Sequence, residues 1–468
     1  KSPWYLVSFG MIGASLSGVT FLSIPGWVGD ATKQFSYMQV VFGYLVGYFI
    51  VAYVLLPLFY KSNVTSIYEY LKDRFGFWSY KTGAFFFLIS RIIGASIRLL
   101  LVANVLQVIL FNKWGIPFEV TVVISILLIW IYTSRGGIKT IVWTDTLQTL
   151  FMLSSVILTV YFISDALDLS EKGGVISTVQ DSKYSQMFFF DDFLAGNNFW
   201  KSFFGGMFIT IGMTGLDQDM MQKNLSCRNI SDAQKNMISM AIVLVIVNLV
   251  FLALGSLLYM YAEANMPEVI DQIANKELGS DMLFSKIAMS KEVGPIVGVL
   301  FLLGLVAAAY SSADSALTSL TTSFSIDFLD LKKRRRAEQE RTRRNVHIAM
   351  SVVLILVIIL LKYTTDTAAI WLLLKFAGFT YGPLIGMFFF GIIFKRSVRD
   401  GLVPIICLGS ISLMVFLWYF SFGGPGVAEG QPGLFGNYAF GIEMIIINSF
   451  FTFMGMLAFS TKKSTENI

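Results

Sequence analysis

Gly10-Met-Ile-Gly13-Ala-Ser15-Leu-Ser17-Gly18-Val-Thr20-Phe-Leu-Ser23-Ile-Pro25-Gly26 sits in an apolar run long enough to cross a bilayer, yet it is crowded with residues that weaken a helix. Lipid has no water to satisfy a freed backbone group, so such a break is tolerable only where the carbonyls face a cavity or bind an ion. A second stretch repeats the composition: Gly205-Gly206-Met-Phe-Ile-Thr210-Ile-Gly212-Met-Thr214-Gly215. Working outward from these two, each opens a group of five apolar runs, 5–164 and 199–394. Five is odd, so the second group must start on the opposite side of the membrane from the first. That is the pattern of an inverted repeat with broken helices at corresponding positions, which points to a transport site. Small residues that merely let helices pack closely account for either stretch alone, but not for both at matched positions.

The composition agrees. Of 468 residues 55% are hydrophobic and 14% charged, with a mean hydropathy of +0.69, against about 25% charged in a soluble domain. Apolar runs of about 20 residues give twelve expected spans, near 5–28, 37–60, 80–110, 118–134, 141–164, 199–222, 237–262, 293–325, 345–362, 367–394, 401–421 and 438–460. The fold expected is an all-α polytopic membrane protein. Residues 1–164 hold core helices 1–5, 165–198 an outer loop, 199–394 core helices 6–10, and 395–468 two further helices with a short tail. No span reads as a cleavable signal peptide.

Lys332–Arg336 with Arg341, Arg343 and Arg344, then Lys395, Arg396 and Arg399, fall in loops on one side, while 165–198 and 263–292 are rich in Asp and Glu. The positive-inside rule therefore places both termini in the cytoplasm of a multi-pass plasma (inner) membrane protein. The basic run at 332–344 reads as an inner loop rather than a nucleic-acid site. Cys227 falls in an inner loop and Cys407 in a span, so no disulfide is expected. With His347 the only histidine, a metal-dependent or Ser-His-Asp enzyme has little to work with.

Arg91, Arg98, Asp145, Asp217, Asp219, Asp314, Lys375 and Glu443 lie within apolar runs. Each costs roughly 2.5–3.5 kcal/mol facing lipid at a helix centre, so each should face a cavity or a partner. Asp217 and Asp219, beside Lys223 and Arg228, read as a salt link at the inner end of their span, and Glu443 reads as structural. In the eighth span Ala308, Ser311, Ser312 and Ser315 follow i, i+3, i+4, i+7 spacing and share one helical face. Two adjacent hydroxyls with the Asp314 carboxylate inside a turn suit a hard monovalent cation. The plainer alternative is a Ser/Thr stripe bonding back to its own helix.

Gly13-Ala-Ser-Leu-Ser-Gly18, Trp143-Thr-Asp145-Thr-Leu-Gln148, Asp217-Gln-Asp-Met-Met-Gln222-Lys, Ser311-Ser312 and Tyr381-Gly-Pro-Leu together resemble the solute:sodium symporter family, over essentially the whole chain. The resemblance implies the LeuT-type 5+5 inverted repeat with broken helices 1 and 6, plus two C-terminal helices. Family members usually carry one further helix before this core, so the sequence is expected to be truncated at its N-terminus. The resemblance further implies a main sodium site built from backbone carbonyls of Gly13, Leu16 and Ala308 with the hydroxyls of Ser311 and Ser312. Some relatives hold a second sodium, which here would use Asp145, Ser311, Ser315 and Asp314, the last standing where those relatives have serine. One or two Na+ ions are therefore expected.

The substrate positions are most similar to those of the sodium-coupled sialic acid transporters. They map to Ser15, Ser17, Thr20, Phe35, Gln39 and a carboxylate-binding arginine at or near Arg91. Arg98, two turns further along the same face, and Lys375 are accessory cations, and a guanidinium holds a carboxylate through two parallel bonds. The expected function is sodium-coupled symport of a small polar solute, favoured anionic, by alternating access, with no enzymatic activity and no nucleic-acid or obligate protein partner. The rivals are a neutral sugar or polyol as solute, a proton as coupling ion, and a transporter-like sensor.

Overall fold

The computed structural model describes residues 4–15, 17–62, 66–135, 138–171, 173–331, 335–364 and 368–461, and is almost wholly helical. The first expected span is two helices, α1 (Trp4–Ser15) and α2 (Gly18–Trp27), parted at Ser17, whose backbone is extended (φ −84°, ψ 171°). The Ser17 N–H turns back to the Ser15 carbonyl at 3.0 Å, and the Thr20 hydroxyl donates to the same carbonyl at 3.4 Å. After α3 (Tyr37–Ile50) come α4 (Phe77–Ile109), α5 (Phe118–Arg135) and α6 (Ile138–Ala166).

The sixth span breaks as the first does. Helix α7 (Phe199–Thr210) runs through a π-helical turn at Ile211–Gly215 and stops, and α8 (Gln218–Leu225) starts afresh. Asp217 makes the restart: its backbone is extended, and its carboxylate accepts the N–H groups of Asp219 and Met220 at 3.0 and 3.1 Å. An acidic N-cap of this kind satisfies donors that a helix begun inside a membrane would otherwise leave bare. The chain continues through α9 (Ile230–Asn265), α10 (Pro295–Ser323), α11 (Arg336–Thr364), α12 (Ala369–Ile393), α13 (Val403–Tyr419) and α14 (Met444–Ala458).

Among the described residues eight helices are long and apolar enough to cross a membrane, with Phe118–Ile131 and Met444–Ala458 as shorter apolar helices. The two remaining expected spans are the broken ones, each half of which is too short to count alone. Close approach through glycine packs α3 against the first half of the second broken helix. A Cβ on Gly43 of α3 would lie 2.0 Å from the Phe203 carbonyl oxygen of α7, and one on Gly206 would lie 2.3 Å from the Val40 carbonyl. The reciprocal small residues let the two backbones touch, which is how helices associate where lipid supplies no hydrophobic drive. Far along the chain, Asp400 accepts the Trp78 and Ser79 N–H groups at 2.7 and 2.8 Å, capping the N-terminus of α4 from the segment before α13.

Candidate functional site

Between the two breaks lies a cavity of about 130 Å³. Its floor is the first break, which contributes Ser15, Ser17 and Thr20. Helix α3 adds Tyr37, Tyr44 and Tyr48, with the hydroxyls of Tyr37 and Tyr44 3.2 Å apart. Thr210 and Thr214 enter from the second broken helix, Asn248 from α9, and Ile370, Leu373 and Leu374 from α12. The sequence reading missed the tyrosines and Asn248. Tyrosines at i, i+7 and i+11 share a helical face, and that spacing was the available signal.

Among the described residues one charged side chain lines the cavity, that of Arg98. Its Nε is buried and has no hydrogen-bond partner. Arg91, two turns earlier on α4, does not reach the cavity. Its guanidinium meets Asp219 at 3.0 Å and Asp217 at 3.6 Å, and donates to Ser319 at 3.2 Å and Ser315 at 3.4 Å. Tyr381 donates to Asp217 at 3.1 Å, and Lys223 pairs with Asp219 at 3.1 Å. Two carboxylates and two cations thus balance one another, joining α4, α8, α10 and α12 below the cavity. The guanidinium expected to take a solute carboxylate is thus already paired with Asp217 and Asp219.

Three other expected contacts lie elsewhere. Gln39 is fully buried, and its amide donates to the Asn197 carbonyl and accepts the Phe189 N–H, each at 2.9 Å, so it fastens the loop before α7 to α3. Phe35 is buried beside it, and its N–H donates to Gln186 of the same loop. Lys375 lies over the Trp418 ring of α13, 3.5 Å from its centre, facing away from the cavity. Neither Gln39, Phe35 nor Lys375 lines the cavity. Glu443 likewise serves structure: it accepts the Tyr438 hydroxyl at 2.9 Å and the Gly441 N–H at 3.0 Å, with Lys201 at 3.9 Å.

Helix α10, which carries Ala308, Ser311 and Ser312, packs against both α1 and α2. Ala308 and Ser311 are buried and Ser312 partly so. The Gly13 carbonyl accepts a 3.3 Å bond from Gln148 of α6, which leaves it a second lone pair. Leu16 lies outside the described residues, and Asp145 is on α6 with its side chain outside them too. Asp314 is buried and accepts the Thr318 hydroxyl at 3.3 Å, whereas Ser315 turns to Asp219, donating at 2.6 Å. Of the residues expected around a second ion, Asp314 and Ser315 thus take different partners.

Broken helices facing each other across a cavity, with a hydroxyl-bearing helix alongside, make this the architecture of a secondary transporter. The sodium:solute symporter family model matches residues 3–409, and the chain belongs to that family. It is 26% identical over 425 residues to the sodium/sialic acid symporter NanT of Aliivibrio fischeri, covering 89% of this chain and 80% of that protein. It is 27% identical over 420 residues to the sodium/sialic acid symporter SiaT of Proteus mirabilis, covering 88% and 82%. The sodium-coupled monocarboxylate transporter 1 of Xenopus laevis is 30% identical over 232 residues, which is 47% of this chain and 35% of that protein. Among solved structures, the substrate-bound outward-open state of a Na+-coupled sialic acid symporter superposes with a TM-score of 0.77 at 22% identity, over 99% of this chain and 92% of that one. The fold is therefore that of a sodium-coupled transporter, and the coupling ion is Na+.

Proposed function

We propose that the protein carries a hydroxylated monocarboxylate across the plasma membrane together with sodium, by alternating access, with both termini in the cytoplasm. The observation that supports the anionic solute is Arg98, a guanidinium with a buried, unbonded Nε at the wall of a cavity whose other described lining residues are neutral. A buried guanidinium N–H without a partner is costly, and a carboxylate arriving with the solute offsets that cost through paired hydrogen bonds. The hydroxyls of Ser17, Thr20, Tyr37 and Thr214 then face the rest of the solute. The full-length likeness to sialic acid symporters supports a sugar acid as the first solute to try.

Sodium is proposed to sit where α10 meets the first break, held by the hydroxyls of Ser311 and Ser312 and the carbonyls of Gly13, Leu16 and Ala308. Clamping α1 to α10 fixes the floor of the cavity, so ion binding prepares the solute site. Ser312→Ala is expected to raise the sodium concentration for half-maximal uptake by about tenfold or more, as losing a charge-assisted ligand costs on the order of 1.5–3 kcal/mol. Unchanged sodium activation in that variant removes the assignment.

The test of the solute class is a thermal-shift screen of the purified protein against sugar acids, short monocarboxylates and their neutral amides, with sodium or potassium. An acid is expected to stabilise the protein in sodium alone, and its amide to have little effect. Stabilisation by neutral sugars, or equal shifts from acid and amide, would hand the reading to a polyol solute.

A further inference from the structure

The hydroxyl of Ser315 is an expected ligand of a second sodium ion, and the structure gives it other company. Its proton goes to Asp219 Oδ2 at 2.6 Å, while Lys223 Nζ approaches its oxygen at 3.1 Å and Arg91 Nη2 at 3.4 Å. A serine hydroxyl has one proton and two lone pairs, so Ser315 has nothing left to offer an ion. A third positive charge beside two others at this range is also repelled, strongly so away from bulk water. Asp314, the next residue, points about 100° away around the helix, and its Oδ1 accepts the Thr318 hydroxyl at 3.3 Å.

From this arrangement we infer that Lys223 is a tethered cation standing in for the second sodium ion, so that one sodium, not two, accompanies each solute. The inference rests on the sodium-symport reading above. Lys223 is suited to the role by its place on α8. Asp219 lies one turn earlier on the same helix, so the short helix after the second break carries both the anion and the charge that satisfies it. The ammonium supplies what a sodium ion would: a compact positive charge with several directions for oxygen partners. Unlike an ion, it stays with the protein through the cycle and contributes nothing to the driving force. One sodium with a monocarboxylate makes transport electroneutral, whereas two would move net positive charge and couple uptake to the membrane potential.

The test needs no knowledge of the solute: radioactive sodium binding to the purified protein in detergent, read as ions bound per chain at saturation. The parent is expected to bind one ion, Ser315→Ala to bind one with an affinity within threefold of the parent, and Lys223→Gln to bind two. A parent plateau of two overturns the proposal. So does a tenfold loss of sodium affinity in Ser315→Ala, or a plateau that stays at one in a Lys223→Gln protein that remains monodisperse. No saturable binding by the parent would overturn the underlying sodium reading instead, so the two failures are told apart in one experiment.

Discussion

Replacing Arg98 by alanine is expected to weaken binding of the carboxylate solute by at least about 30-fold, with sodium binding in the absence of solute unchanged. The figure corresponds to the lower end of the roughly 2–5 kcal/mol lost when one partner of a buried, hydrogen-bonded charge pair is removed. Arg98→Lys should do nearly as badly, because an ammonium cannot reproduce the planar fork that meets both carboxylate oxygens. The neutral amide of the solute should bind the parent poorly and lose little more in either variant. The measurement is competition binding of acid and amide against the parent and the two variants. Equal losses for acid and amide would mean that Arg98 shapes the cavity rather than recognising charge.

Arg91→Ala is expected to damage the protein in a different currency, that of stability. It strips the main cation from Asp217, which is 1% exposed, and from Asp219 beside it, leaving Lys223 as the nearest positive charge. Breaking a buried pair by removing one partner costs about 3–5 kcal/mol, because the remaining charge is left uncompensated. Detergent-solubilised Arg91→Ala should therefore melt well below the parent, or fail to accumulate in membranes. Pairing it with Asp219→Asn removes the orphaned charge and should recover part of the loss. If Arg91→Ala melts like the parent and fails only in solute binding, the roles given to Arg91 and Arg98 must be exchanged.

The contrast between these two arginines shows where the sequence stops being informative. Both lie on one face of α4 in an apolar run, and both demand a partner by the same argument. What separates them is the far end of the second break: Asp217 and Asp219 are more than 120 residues away in sequence, and only the packing of α8 beside α4 brings them to Arg91 rather than Arg98. The breaks themselves were legible, because Gly, Ser and Thr in a membrane helix have a backbone consequence that needs no tertiary context. The hydroxyls of Ser15, Ser17 and Thr20 were picked out only by the resemblance to sialic acid transporters, and they line the cavity.

Gln39 is the opposite case. An amide in a membrane span near a transport site invites a role in solute binding, yet it holds Phe189 and Asn197 of a loop whose path the sequence does not disclose. Ser315 fell to a local ambiguity. Its spacing puts it on the ion-binding face with Ser311, but a residue at the edge of that face can turn either way, and the Asp219–Lys223 pair on the neighbouring helix decides it.

Accumulation of a labelled sugar acid by proteoliposomes containing only the purified protein, with sodium outside and potassium inside, tests the central claim most directly. The account predicts uptake above the equilibrium level that collapses when the sodium gradient is abolished, that a neutral amide of the same acid does not share, and that Arg98→Ala vesicles lack. Uptake that persists in a proton gradient without sodium, or an amide accumulated as readily as the acid, would contradict it.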